Sequence, residues 1–285
     1  MKTIKKIISI LLCVVFITMC FAGCSSNDDE KYTDKTLIIG YTESAAPFLE
    51  VNAEGKASGL YAELWKKLFK DVKGELENYV FEKVDEGYAL EESGGFFDSN
   101  GKEYSAGLLM GAVSKNNGTF NEDYSFTEPI ITNRVITVTA KDSKVKTYAN
   151  FEGAKVVVFG ENAKAAFTKH AAISKAAASI TEVKNIDEAL AKIDDGSADA
   201  LVTEELFYMP NEKADNYTVL DKELDTIEYV IACAKYSGWK DSINEAVYQL
   251  KSKDYGENGD EFTPMVTKYF GYNASKFNYK PQNEE

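Results

Sequence analysis

Short apolar runs alternate with amphipathic repeats along most of the chain. The short runs are typical of buried strands, and repeats with an apolar residue every three or four positions are typical of helices. The pattern predicts strands at 37–41, 79–84, 105–113, 154–159, 180–183 and 198–203, and helices at 60–72, 163–172, 186–193, 240–251 and 262–270. Strands that alternate with helices predict an α/β fold.

Two extended runs divide this pattern into two parts. The run 134–141 follows Pro129, which cannot donate to a strand ladder, and it is rich in β-branched residues. A second extended run, 227–235, follows roughly ninety residues later. If the two runs lie side by side, the segment between them is a separate lobe that leaves the first lobe and returns. The predicted parts are lobe one at 37–133 and 233–272, lobe two at 134–232, a flexible tether at 24–36 and a polar tail at 273–285.

The start of the chain has the pattern of a bacterial lipoprotein signal. Three lysines precede an apolar run at 7–23, which ends in Phe21-Ala22-Gly23-Cys24, similar to a lipobox. We predict a signal peptide at 1–23 and a lipid on Cys24, at the extracellular face of the cell membrane. The alternative is an uncleaved anchor, because the apolar run nearly reaches the length of a membrane span. Both arrangements place the rest of the chain outside the cell.

Charge and composition exclude several classes of function. Removal of the signal, which holds three lysines and no acid, takes the net charge from −14 to −17. This charge argues against binding to nucleic acid or to anionic lipid. Cys233 is alone in the mature chain, so it forms no intramolecular disulfide and is predicted to be a buried, inert thiol. His170 is the only histidine, and no zinc, haem or phosphate-loop motif is present. We therefore expect no metal, no cofactor and a monomer that contacts the membrane only through its lipid.

Five segments, in order, resemble the bacterial extracellular solute-binding proteins of family 3. They are Ile39-Gly-Tyr-Thr-Glu-Ser-Ala-Ala-Pro-Phe48, Gly55-Lys-Ala-Ser-Gly-Leu-Tyr-Ala-Glu-Leu64, Phe126-Thr-Glu-Pro129, the stretch from Asp187 to Glu204, and Lys268-Tyr-Phe-Gly271. The resemblance implies a two-lobed periplasmic-binding-protein-like type II fold with two crossover hinge strands. It also implies that the lobes close over a small polar, amino-acid-like ligand and deliver it to the permease of an ABC importer.

The resemblance assigns the ligand site only in part. Glu204 matches the acid that binds the ammonium group of the ligand in this family. The arginine that should bind the ligand carboxylate is absent from the run between Lys115 and Phe120. A buried carboxylate without a charged donor is costly, so Lys115 or Arg134 supplies the charge, or the ligand has no carboxylate. Where the second lobe usually offers hydroxyl groups, this chain has Glu161 and Asn162.

Further candidates come from the predicted cleft. Ser114 begins a polar loop at the carboxyl end of a strand, where α/β sheets usually bind their ligands. Glu43, Glu161 and Glu204 suit a cationic ligand or are ordinary surface acids. The aromatic candidates for stacking on the ligand are Phe48, Tyr61 and Tyr88, of which the first two fit a core position equally well.

Two other functions fit the same fold. A dehydratase-like enzyme could use Glu161 or Glu204 as a general acid or base. A ligand-sensing module would bind a solute without transport. The sequence contains no activated nucleophile, so we predict a binding protein with no catalytic residue. It leaves open the ligand, the affinity and the permease.

Overall fold

The computed structural model describes residues 33, 35–85, 96–97, 103–104, 106–114, 124–252 and 260–271. The strands are β1 Thr36–Tyr41, β2 Glu50–Val51, β3 Ala57–Ser58, β4 Asn78–Lys83, β5 Phe96–Phe97, β6 Glu103–Tyr104, β7 Ala106–Leu109, β8 Tyr124–Phe126, β9 Ile131–Ala140, β10 Lys155–Phe159, β11 Ser179–Glu182, β12 Ala200–Glu204, β13 Tyr217–Val219, β14 Asp225–Tyr229 and β15 Ala232–Ala234. The α-helices are α1 Leu60–Val72, α2 Glu161–Lys169, α3 Ala171–Ser174, α4 Ile186–Asp194, α5 Glu205–Tyr208, α6 Trp239–Lys251 and α7 Phe262–Phe270.

The first lobe is built on a sheet with the strand order β4-β1-β7-β15-β8. Strand β1 is parallel to β4 and β7, and β15 is antiparallel to both of its neighbours. Helix α1 packs on this sheet because its apolar residues recur on one face, and it buries Leu60, Tyr61, Leu64, Trp65 and Leu68. The helix begins after Gly59, whose φ of +98° and close approach to the carbonyl of Phe48 leave no room for a side chain.

The second lobe is built on a sheet with the order β11-β10-β12-β9-β13, and β14 pairs with β9. The odd and even positions of its strands enter different clusters, as the alternation along a strand requires. Helix α2 packs against the face that carries Val156, Val158 and Val202, whereas α4 packs against the face that carries Val157 and Leu201.

The two crossover runs lie side by side, as the sequence predicts. Strands β9 and β14 are antiparallel, with Ile131 opposite Tyr229, and β8 pairs with β15. Between these pairs, the N–H of Thr127 donates to the carbonyl of Ile231 at 3.0 Å, and the Thr127 hydroxyl accepts from the Ile231 N–H at 3.0 Å. The first crossover strand starts at Ile131 and not at residue 134. The second run divides into β14 and β15 where it passes from one sheet to the other.

Several elements differ from the prediction. The helix predicted at 163–172 begins at Glu161 and ends at Lys169, and a short α3 follows it. Strand β7 is shorter than the predicted 105–113, because the chain leaves the strand geometry before Gly111, whose φ is +116°. The pattern missed β13 and α5, which have only three and four residues. Among the described residues, no helix combines the length and the apolar character that a membrane crossing requires. The predictions for Cys24, Tyr88 and Lys115 fall outside the described residues.

Candidate functional site

Glu204 is a buried carboxyl group at the carboxyl end of a central strand. It is the last residue of β12, and its side chain is 2% exposed. Alternation along the strand places it on the same face as Ala200 and Val202, which is the face that α2 covers. A β-carbon on Gly160, just before α2, would lie 3.8 Å from Glu204 Oε1, so the turn into this helix passes close to the carboxyl group.

Three side chains from three different elements donate hydrogen bonds to this carboxyl group. Asn133 Nδ2, in β9, donates to Oε2 at 2.7 Å, and Asn162 Nδ2, in the first turn of α2, donates to Oε1 at 3.2 Å. The Tyr229 hydroxyl, at the end of β14, also donates to Oε2. We refer to Glu204, Asn133, Asn162 and Tyr229 as the Glu204 cluster. Two of its members lie on the paired crossover strands, so the cluster is positioned where the lobes are joined.

Burial determines the protonation of the cluster. Loss of solvent raises the pKa of the Glu204 carboxyl group, and the three hydrogen bonds, from Tyr229 first, oppose this effect only in part. Burial, followed by the adjacent Glu204 charge, raises the pKa of the Tyr229 hydroxyl well above its usual value. Tyr229 therefore keeps its proton as a donor, and Glu204 favours the neutral form more than a solvated glutamate does.

Aromatic rings from both lobes pack beside the cluster. The centroid of Phe48, in the first lobe, lies 4.5 Å from the centroid of Tyr229 and 6.0 Å from that of Phe207, in α5 of the second lobe. Phe207 in turn packs edge-on against Phe159 at 5.8 Å. These contacts join the two lobes through apolar side chains.

Among the described residues, the buried hydroxyl group of Tyr61 has no hydrogen-bond partner. Tyr61 lies in the first turn of α1, is 0% exposed, and has its ring centroid 6.4 Å from that of Phe48. Burial raises the pKa of this hydroxyl, and a charge on Tyr61 would raise the pKa of Tyr229 further. The first lobe thus places an unsatisfied polar group within electrostatic reach of the Glu204 cluster.

Arg134 does not join the cluster. Asn133 and Arg134 are consecutive in β9, so their side chains lie on opposite faces of the sheet. On its own face, Arg134 makes a bidentate ion pair with Glu205, from Nε to Oε2 and from Nη2 to Oε1, both at 2.7 Å. Glu205 is only 3% exposed, so this pair satisfies a buried charge. The structure therefore places Arg134 and Glu204 on opposite faces of the sheet.

The other sequence candidates divide into two groups. Ser114 is buried and forms a β-bridge with Tyr229, and Asn162, Phe48 and Tyr61 lie at the cluster as described above. Glu43 and Glu161 are exposed. Sequence reasoning missed Asn133, Tyr229, Phe159 and Phe207. A weak signal was available for the first of these, since Asn133 is the one amide in a strand that, apart from Arg134, is β-branched or apolar.

A groove of about 780 Å³ lies elsewhere, between α1, β4 and α7. None of its lining residues belongs to the Glu204 cluster. Of its lysines, Lys67 pairs with Glu261 and Lys268 with Glu63, so part of its positive charge is neutralised locally.

No protein-family model matches this chain, and neither does any curated protein sequence. Solved structures do match, over almost their whole length. A substrate-binding protein of an ABC uptake transporter from Streptococcus pneumoniae, with bound histidine, is 20% identical, with a TM-score of 0.56, and the match covers 88% of this chain and 98% of that one. An ancestral cationic amino acid solute-binding protein is 21% identical with a TM-score of 0.60, over 86% of this chain and all of that one. The unliganded, open L-cystine solute receptor of Neisseria gonorrhoeae is 17% identical with a TM-score of 0.59, over 87% and 98%.

These matches confirm the predicted fold. The chain has the two-lobed α/β architecture of these solute-binding proteins, with paired crossover strands between the lobes. At such low identities the likeness extends to the fold, and the ligand has to be argued from this chain's own residues.

Proposed function

We propose that this chain is a lipid-anchored extracellular solute-binding protein that captures a small polar ligand, amino-acid-like or cationic, and delivers it to an ABC importer. The Glu204 cluster carries the proposal. A ligand enclosed between two lobes loses its hydration, so each of its charges needs a partner in the protein. Glu204 provides such a partner for a positive charge, and both crossover strands hold it in place.

The surroundings of the cluster support capture by lobe closure. Asn162 and Phe207 approach from the second lobe, whereas Phe48 and Tyr61 approach from the first. A hinge motion at the crossovers would separate these two groups and open the site. Ser114, bridged to Tyr229, completes the set of proposed ligand contacts.

The matched structures support the rest of the proposal. Several are described as components of ABC uptake transporters, which is consistent with delivery to an importer. The lipobox ending at Cys24 supports an anchor outside the cell. The lobe boundaries predicted from the sequence, with the second lobe at 134–232, belong to the same proposal.

Thermal unfolding of the mature protein in the presence of amino acids, polyamines and other small cations tests this function. A ligand at one hundred times its Kd adds about 2.7 kcal/mol to the free energy of unfolding. For a chain of this size we expect the Tm to rise by roughly 5–10 °C. E204Q should lose the shift, whereas E152Q, which alters an exposed acid of the same lobe, should keep it. If no compound shifts the Tm, the proposal is wrong.

One observation favours a second function, a dehydratase-like enzyme. A carboxyl group whose pKa is raised by burial is suited to act as a general acid. One matched structure, 20% identical with a TM-score of 0.55, is described as an ancestral amino-acid-binding protein and a precursor of cyclohexadienyl dehydratase. Product formed from a cyclic amino-acid precursor, and lost in E204Q, would establish this alternative. A role in sensing would instead be indicated by the absence of permease and ATPase genes beside this one.

A further inference from the structure

We propose that the ligand is a small protonated amine that carries no carboxylate, and that the Tyr61 hydroxyl accepts a hydrogen bond from it. This proposal rests on the proposed function and makes it more specific. Two features of the chain carry this inference. One is the position of its only arginine, and the other is the unsatisfied hydroxyl group of the first lobe.

Arg134 forms an ion pair with Glu205, away from the Glu204 cluster. Arg134 is the single arginine of the whole sequence, and it forms both of its parallel hydrogen bonds with Glu205, on the face of β9 opposite the Glu204 cluster. Bidentate recognition of a carboxylate requires a guanidinium group. The site therefore has no means of binding a ligand carboxylate in that manner.

The described groups that contact Glu204 are neutral. They are two amides and a phenol, so no described cation balances a second negative charge at this carboxyl group. A protonated amine paired with ionised Glu204 forms a neutral unit. The α-carboxylate of an amino acid would add a buried charge that these groups leave unpaired.

The aromatic rings suit an ammonium group. The ring centroids of Phe48 and Tyr229 lie 4.5 Å apart, and the Tyr229 hydroxyl contacts the carboxyl group. A desolvated cation is attracted to the faces of such rings. This attraction is independent of any other charge on the ligand. It adds to the pairing with Glu204.

Tyr61 supplies the directional contact. Its hydroxyl group is fully buried, has no hydrogen-bond partner among the described residues, and belongs to the lobe opposite Glu204. A phenol oxygen can accept a hydrogen bond from an ammonium N–H. Since Tyr61 belongs to the first lobe and Glu204 to the second, a ligand that contacts both holds the lobes together.

Calorimetric titration of the mature protein with matched pairs tests the ligand class. The pairs are arginine and agmatine, lysine and cadaverine, and histidine and histamine, whose members differ only in the α-carboxylate. For the pair that fits, we expect the amine to bind at least about tenfold more tightly than the amino acid. An amino acid that binds as tightly as its amine overturns this inference and leaves the proposed function intact. Amino-acid binding that is lost in K115M also overturns it, because Lys115 would then be the carboxylate partner. Binding of neither member in all pairs contradicts both proposals.

A thermodynamic cycle that combines the Y61F substitution with N-methylation of the ligand tests the contact between Tyr61 and the amine. Y61F should weaken amine binding by about two- to tenfold. Full N-methylation of the amine removes its N–H donors, so Y61F should have no further effect on the methylated ligand. A purely structural role for Tyr61 predicts the same loss for both ligands, and that result would overturn the assignment. Y79F, which alters a half-buried tyrosine of the same lobe, should bind both ligands as the wild type does.

Discussion

Replacement of Tyr61 by phenylalanine should stabilise the ligand-free protein. The Tyr61 side chain is 0% exposed and its hydroxyl group has no hydrogen-bond partner, so folding removes that group from water without compensation. Leaving a buried hydroxyl unsatisfied costs about 1–3 kcal/mol. Phenylalanine keeps the ring and its contact with Phe48. We therefore expect the free energy of unfolding to increase by about 1–3 kcal/mol.

Urea denaturation, followed by tryptophan fluorescence, measures this change. An unchanged m-value would show that the stability itself has changed, and not the compactness of either state. Two other variants serve as controls for the change in stability. Y79F alters a half-buried ring that packs against Trp65 at 6.3 Å, and its stability should change by no more than about 0.5 kcal/mol. Y229F removes a donor from buried Glu204 and should cost about 1–3 kcal/mol.

The opposite signs of Y61F and Y229F are the test. Both remove one hydroxyl group from a buried tyrosine in the same part of the molecule, so loss of packing is matched between them. If Y61F destabilises the protein as much as Y229F does, the Tyr61 hydroxyl is satisfied in the ligand-free state. The Tyr61 hydroxyl would then already be hydrogen-bonded and not available to a ligand.

Three further predictions concern charge and reactivity. R134M should cost about 3–5 kcal/mol in a urea titration, because it removes the bidentate ion pair from a carboxylate that is only 3% exposed. E205Q should cost less, because Arg134 is 34% exposed and remains hydrated, and equal costs would contradict this asymmetry. Binding of an amine requires ionised Glu204, and burial raises the pKa of this carboxyl group. Calorimetry should therefore show an affinity that increases as the pH rises through that pKa and levels off above it, with release of a proton to the buffer below it. An affinity independent of pH would refute the linkage. Cys233 is 0% exposed, and burial raises the pKa of its thiol to about 12. A thiol reagent at pH 8 should therefore label it only after unfolding. Rapid labelling of the native protein would show that the strand opens.

The sequence predicted the regular helices well because their physical signals are local. Helices α1 and α7 have the predicted bounds, 60–72 and 262–270. In each, apolar residues recur at helical spacing, and a glycine with positive φ stands at one end, Gly59 before α1 and Gly271 after α7. Such signals lie within one segment of the chain, so no knowledge of the tertiary structure is needed to read them.

The site was predictable only in part because its contacts are distant in sequence. Glu204 was predicted through the resemblance to the solute-binding proteins of family 3, in which an acid stands at this strand end. Tyr229 has no signal of its own and the lone amide of Asn133 is only a weak one, since both residues belong to extended runs whose contacts form only when β9 lies beside both β12 and β14. The same pairing decides the role of Arg134. Alternation shows that it faces away from Asn133, but only the register of the sheet shows which of the two reaches Glu204.

The Glu204 cluster and Tyr61 together show two features that each lower stability. One is a buried carboxyl group whose burial favours the neutral form, and the other is a buried hydroxyl group without a partner. Either alone would be weak evidence of function, and indeed the indole N–H of Trp65 is also buried and unsatisfied away from the cluster. What distinguishes Tyr61 is that its hydroxyl group lies on the opposite lobe from Glu204 and within electrostatic reach of Tyr229, which donates to that acid. One protonated amine between them would favour the ionised acid and donate to the hydroxyl oxygen, so closure of the lobes on a single ligand would reduce both costs.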